Sequence, residues 1–259
     1  MTDKEILLSR VYDKITEADK NVMITHTAFL SVDEISDIKS SGKKLREGID
    51  VFYYGGIPDA ERCAMFFIPE CYAVKDLAEY FNERPEDNPI VAVKVLKDRF
   101  SSITHRDYLG ALMGLGIKRE QIGDIVTCES GAYIICLKSI AGFIKDNLKK
   151  SGRGTLTSEI VDINCVEVPD EKTVIKFHSV ASLRLDNILC AGFSVPRSLC
   201  NEYINRGLVF VNSVRAVKCD SLIKENDKVV LRGKGKIVLA EIIGENKKGR
   251  THINIKHYI

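Results

Sequence analysis

Between residues 3 and 20, apolar positions recur at helical spacing. Ile6, Leu7, Val11, Tyr12, Ile15 and Ala18 fall at steps of one, three and four, which predicts an amphipathic helix. Thr2 or Asp3 is placed to cap it. Residues 31–40 predict a second, shorter helix, with Ser31 as cap and Glu34 completing a capping box. Asp50–Tyr54 and Ala64–Ile68 read as strands, and Gly55-Gly56-Ile57-Pro58-Asp59 between them is hairpin punctuation. A third helix is expected over Val74–Phe81. The polar stretch from Asn82 to Pro89, with its two prolines, reads as a linker.

Beyond the linker the rhythm changes. Ile90–Leu96 alternates as a strand, and Thr104–Gly114 is helical with Thr104 as cap. Ile122–Cys128 and Ala132–Leu137 are strands around a Ser130-Gly131 turn. Ile140–Lys149 is an amphipathic helix that Ser151-Gly152-Arg153-Gly154 stops, and Glu159–Val168 is the next strand. The order β-α-β-β-α-β is the ferredoxin-like split pattern. Val174–Phe177 reads as one more strand. A third pattern opens at Ser182: a helix over Leu183–Leu189, then a helix capped by Ser194 with Pro196 in its first turn and Gly207 at its end. Strands follow at Leu208–Asn212, Val229–Leu231 and Ile237–Ile243. The fold class is therefore α+β in three small units: an N-terminal α/β unit with a hairpin (1–87), a central ferredoxin-like unit (88–170) and a C-terminal unit (182–259). The compact run Gly110-Ala111-Leu112-Met113-Gly114 suggests close helix packing.

Composition adds little until it is divided. Hydrophobic residues make up 45% and charged residues 29%, with a net charge of +2, which is ordinary globular usage. The segments differ: residues 1–87 carry 11 basic and 18 acidic side chains, residues 88–183 carry 13 and 11, and residues 184–259 carry 14 and 7. A near-neutral total thus hides a basic C-terminal third, the pattern of a polyanion-binding module. The apolar runs, such as Cys63 to Pro69, fall short of the roughly 20 residues a membrane helix needs. The N-terminus lacks a signal-type apolar core, so a cytoplasmic protein is expected. No two of the eight cysteines have C-x-x-C spacing, which argues for reduced, mostly buried thiols rather than zinc or redox sites.

The third unit carries a recognisable pattern. Leu183-Arg184-Leu185-Asp186, Ser194, Arg197-Ser198, Ile204, Gly207, Val209 and Val211-Asn212, with Asp227, Val229 and Arg232-Gly233 later, resemble the ribosomal protein S-four-type RNA-binding domain. Ser213 stands where that family usually has Gly. Arg184 and Arg197, near the starts of two helices, are placed to flank a groove with a helix N-terminus that suits phosphate. Arg215, Lys218, Arg232, Lys234 and Lys236 add positive charge. The competing reading of Arg184 is an intradomain salt bridge to Asp186 or Glu202, and that of Lys234 and Lys236 is plain solvation.

The resemblance extends further. His105-Arg106-Asp107-Tyr108-Leu109-Gly110, Arg119-Glu120, Ile122-Gly123-Asp124-Ile125, Gly55-Gly56, Ala60-Glu61-Arg62 and Lys248-Gly249-Arg250 are similar to the signature of the bacterial YlmH family. That resemblance implies an N-terminal α/β region, an RNA-recognition-motif-like centre and the S-four-type C-terminal domain. It implies association with the large ribosomal subunit carrying stranded peptidyl-tRNA, in ribosome quality control. The expected partners are rRNA, the large subunit and, further, tRNA, with neither membrane nor DNA, for a monomer without cofactor or metal. The expected RNA-binding residues are Arg184, Ser194, Arg197, Ser198, Asn212, Arg215, Lys218, Arg232, Lys234, Lys236 and Arg106. Arg106 has a competing reading as part of a helix-cap network. Base stacking by the central unit is not expected, because its inner strands offer only Tyr133.

No Gly-rich loop joins a strand to a helix, no His/Cys group has metal spacing, and the five histidines are scattered in sequence. A non-catalytic RNA-binding protein is the leading expectation. An RNA-modifying enzyme with a site in residues 1–170 is the alternative, and a protein-interaction scaffold in the first two units is a third.

Overall fold

The computed structural model describes residues 2–41, 46–98, 101–152, 154–169, 172–246 and 249–258. Arg153 and Lys248, used in the sequence reading, lie outside them. By contact the chain divides into two compact units, Met1–Glu34 with Gly42–Pro169, and Ile35–Ser41 with Asp170–Ile259.

The first unit begins with helix α1 (Asp3–Asn21) and strand β1 (Thr25–His26); helix α2 (Val32–Ser40) follows in the chain, and from Ile35 on it belongs to the second unit. Both helices start where local chemistry dictates. Thr2 N donates to Glu5 Oε2 at 2.8 Å, and Glu5 N to Thr2 Oγ1 at 3.3 Å. Ser31 and Glu34 make the same reciprocal box at 2.7 and 3.3 Å. Strands β2 (Ile49–Tyr54) and β3 (Ala64–Pro69) pair as the expected hairpin, with β1 on the far side of β3. Gly56, in the connection, has φ of +89°, a conformation that favours glycine. Helix α3 (Leu77–Glu83) starts three residues later than expected, because the Asp76 carboxylate accepts from Glu79 N at 3.0 Å and caps it there.

The remaining elements are β4 (Ile90–Lys97), α4 (His105–Gly114), β5 (Ile122–Cys128), β6 (Gly131–Leu137), α5 (Lys138–Asn147), β7 (Lys150–Ser151) and β8 (Gly154–Val161). Their sheet has the order β5-β6-β4-β8-β7, and the first four are in the ferredoxin-like arrangement that the β-α-β-β-α-β order predicts. On one face Val93, Val95, Ile134 and Cys136 pack against Tyr108 and Leu112 of α4 and Ala141 and Ile144 of α5. On the other, Ile90, Ala92 and Ile135 share a core with Phe29, Phe66 and Phe81. The apolar residues on both faces of β4 thus both find cover, and residue 87 is not a contact boundary. Two expectations fail locally. Strand β8 lies five residues before the expected start, since its Thr155, Thr157 and Glu159 are exposed and mask the pattern. A Cβ at Gly110 or Gly114 would meet open space, so that glycine run is not a close helix contact.

The second unit contains β9 (Thr173–Val180), α6 (Leu185–Phe193), α7 (Arg197–Asn205), β10 (Val209–Val211), β11 (Val214–Arg215), β12 (Lys228–Leu231), β13 (Gly235–Glu245) and β14 (Thr251–Tyr258). The sheet runs β11-β10-β12-β13-β14-β9. Leu185, Ile188 and Leu189 of α6 and Cys200 and Ile204 of α7 cover Val229, Ile237, Leu239, Ile253 and Ile255. Strand β9 pairs with β14 from Thr173↔Tyr258 to Val180↔Thr251, so this unit begins before Ser182. Ser194 does not cap α7. With φ of 53° it adopts the left-handed conformation that ends α6, and Pro196 stands at the α7 N-cap.

Candidate nucleic-acid interface

The starts of α6 and α7 meet at one carboxylate. Asp186, in the first turn of α6, is 3% exposed. Arg197, the first residue of α7, donates to Asp186 Oδ2 from Nη2 at 2.6 Å and from Nε at 3.1 Å. Arg184, the N-cap residue of α6, donates from Nε to Oδ1 and from Nη2 to Oδ2, both at 3.3 Å. The side chains of Arg184 and Arg197 are nevertheless 38% and 63% exposed. One buried anion therefore holds two accessible cations side by side. Burial raises the Asp186 carboxyl, but hydrogen bonds and charge from the two arginines outweigh it and hold the group below its ordinary range. The arrangement presents forked donors of the geometry that phosphate oxygens accept.

The salt bridge from Arg184 to Asp186 is thus present. The free N–H groups expected at the α6 N-terminus are not available, however. Leu185 N donates to Ser221 O at 2.8 Å and Asp186 N to Cys219 O at 3.0 Å. Lys218, exposed, precedes Cys219 in that capping segment, and exposed Ser198 sits in the first turn of α7. The other expected residues go elsewhere. Ser194, Lys234 and Lys236 line a separate groove. Arg232 lies over the Phe210 ring at 4.7 Å. Asn212 donates to Asp227 Oδ1 at 2.7 Å and, with Ser213, turns through positive φ between β10 and β11, the conformation that the family's usual Gly would favour. Arg215 N donates to Ser36 Oγ at 2.8 Å.

Sequence reasoning missed two features. Asp186 appeared as a motif position and a competing partner for Arg184, whereas it organises both arginines. The scattered histidines are not all apart, since the His178 and His257 rings lie 5.7 Å from each other across the β9–β14 pairing. All eight cysteines are free thiols. Burial pushes Cys136 up to about 12, and burial with the Cys190 hydrogen bond does the same to Cys200. Neither is a nucleophile at neutral pH. Among the described residues no group of three His, Cys, Asp or Glu side chains is placed to hold a metal, and no helix is long and apolar enough to cross a membrane.

Residues 86–164 match the family described as the putative RNA-binding domain in YlmH. Over 209 residues, 80% of this chain and 78% of the relative, the sequence is 29% identical to the ribosome-associated protein quality control protein P2 of Bacillus subtilis (strain 168). The chain thus resembles the YlmH family, whose RNA-binding-domain model matches its central segment. A solved structure described as the cell division protein ylmH from Streptococcus pneumoniae is 20% identical, covering 63% of this chain and 94% of that one with a TM-score of 0.47.

The YlmH signature residues in the first unit do structural work. Asp124 accepts from the backbone N–H groups of Glu61 at 2.7 Å and Arg62 at 3.2 Å. Arg62 donates to Phe29 O at 2.9 Å and Ile122 O at 3.2 Å, and Arg119 to Ile122 O at 2.7 Å and Gly123 O at 3.0 Å. These bonds tie the β2–β3 connection to β5. In the YlmH-matching segment, Tyr133 is buried, with Lys94 Nζ 5.8 Å from its ring centre, and is not a stacking platform. The α4 cap is closed by Thr104 and Asp107, whose Oδ2 accepts from Thr104 N at 2.8 Å, and Arg106 stands exposed beside it.

Proposed function

We propose that this protein is a non-catalytic RNA-binding protein that works on the ribosome. On this reading it acts in the bacterial cytoplasm as a monomer, engages rRNA of the large subunit and contacts stranded peptidyl-tRNA. Residues 182–259 would act as an S-four-type RNA-binding domain. The observation that carries the reading is the pair of exposed guanidiniums, Arg184 and Arg197, fixed by the buried Asp186. Fixed, forked cations lose little freedom on meeting a phosphate, and they recognise backbone position and shape rather than sequence. The basic C-terminal third and the name of the Bacillus subtilis relative point the same way. Ser198 and Lys218 extend the same surface, and Arg106 offers a further phosphate contact from the first unit.

The test is a salt titration of binding to RNA extracted from large ribosomal subunits. Arg184→Ala and Arg197→Ala should each weaken binding and flatten the log–log salt slope by about 0.7–0.9. Unchanged affinity and slope in both variants overturn the assignment. Mass analysis of rRNA and tRNA nucleosides from cells with and without the protein should show no difference. A lost modification would replace the binder with an RNA-modifying enzyme.

A further inference from the structure

A second cationic feature of the C-terminal unit lies away from the Asp186 carboxylate. Between the end of α6 and the sheet strands β9, β13 and β14 there is an open groove of about 250 Å³. At about 30 Å³ per water molecule that is space for several waters or one tetrahedral anion. Lys176, Lys234 and Lys236 line it, together with His178, His257 and Tyr258, and no carboxylate is among the described residues that do so. The end of α6 brings roughly half a negative charge, which offsets only part of three ammonium groups.

The inner wall is chemically unsatisfied. His257 is 9% exposed, and its Nε2 is buried without a hydrogen-bond partner. His178 Nε2 is in the same condition. Buried polar atoms of this kind are uncommon in folded proteins and mark a place where a ligand or water supplies the missing contact. Burial, then the nearby Lys176, lower both imidazoles, and His178 lowers His257 further, which favours the neutral rings at pH 7. An anion seated beside them reverses that bias and turns both rings into donors. Lysines alone would make a solvated basic patch; here they surround two imidazoles whose Nε2 atoms have no hydrogen-bond partner.

We propose that this groove binds one phosphate group, held by Lys176, Lys234 and Lys236 with His178 and His257 as inner donors. The site stands apart from the arginine pair and does not depend on it, so the two readings fail separately. The experiment follows the imidazole NMR signals of His178 and His257 in the full chain during titration with inorganic phosphate, at ionic strength matched with potassium chloride. The expected result is a saturable shift of both rings toward the protonated form. K234Q/K236Q should weaken phosphate at least tenfold and H257Q at least threefold, both read at the imidazole signals. If the buried H257Q does not fold, the surface double variant carries the test. No saturable shift, or the same shift with chloride alone, overturns the proposal, as does unaltered affinity in K234Q/K236Q. Oligoribonucleotides with and without a 5′-phosphate then identify the source. Displacement of phosphate by both supports a backbone diester, displacement by the phosphorylated one alone supports a terminal monoester, and displacement by neither supports free phosphate.

Discussion

Replacing Asp186 by Asn separates two effects that a charge count merges. Asn keeps the shape and one carbonyl oxygen, but it removes the negative charge that Arg184 and Arg197 share. Counted as charge, the surface gains one positive unit, worth about 1 kcal/mol toward a phosphate at about 4 Å in water. Counted as geometry, it loses the acceptor at 2.6 and 3.3 Å that holds both guanidiniums. Re-ordering two long side chains on binding then costs about 0.5–1.5 kcal/mol each. The ordering cost wins by about 1 kcal/mol, so Asp186→Asn should bind RNA roughly fivefold more weakly despite its greater charge. Stability should fall too. Both arginines face solvent, which keeps the contribution of the two ion pairs modest. Since the Asp186 carboxyl is held below its ordinary range, this stabilisation is complete above about pH 4 and is lost as pH falls through the folded-state value. Wild type and variant should therefore converge in acid. Fluorescence anisotropy with rRNA fragments reads the affinity, and amide hydrogen exchange over residues 185–205 between pH 3 and pH 7 reads the stability. Tighter RNA binding by the variant, or exchange identical to wild type at pH 7, would refute this reasoning.

The other predictions concern the first unit. Arg62→Ala should destabilise it by about 1–3 kcal/mol, because it leaves the Phe29 carbonyl without its charged donor while Arg119 still serves Ile122 O, and urea unfolding reads the loss. Phe66→Ala, at a fully buried position, should cost about 3–5 kcal/mol in the same assay. Asp107→Ala should lower the thermal unfolding midpoint slightly through the lost α4 capping bond, with RNA affinity unchanged. Tyr133→Phe should leave RNA binding unaltered in anisotropy, since the ring is buried rather than presented; a several-fold loss would return the central sheet to the interface.

Much of this fold is legible in the sequence where local chemistry decides it. The Thr2–Glu5 and Ser31–Glu34 boxes and the Ser130-Gly131 turn place their elements to within a residue or two. What stays hidden depends on partners distant in the chain. Strand β8 exposes Thr155, Thr157 and Glu159, so its apolar alternation is faint. Strand β14 alternates buried Thr251, Ile253, Ile255 and His257 with His252, Asn254 and Lys256, a pattern whose meaning depends on β9 and β13 beside it. The arginines were legible from motif spacing, but the role of Asp186 required knowing that two helix starts converge. The histidine pair was illegible because 79 positions separate His178 from His257 and only strand pairing unites them.

The β9–β14 pairing also sets a timetable for synthesis. Paired residues in these strands are separated by 71 to 85 positions, from Val180↔Thr251 to Thr173↔Tyr258. At about 5–20 residues per second, β9 leaves the peptidyl-transferase centre roughly 4–17 s before its partner is made. During that interval a strand bearing Ile175 and Phe177, 62% and 60% exposed even in the finished protein, has no neighbour along its hydrogen-bonding edge. Such an edge is a template for wrong pairing. A protein proposed to serve ribosomes thus has a vulnerable moment during its own translation, and slowed elongation between residues 180 and 251 should lower its soluble yield.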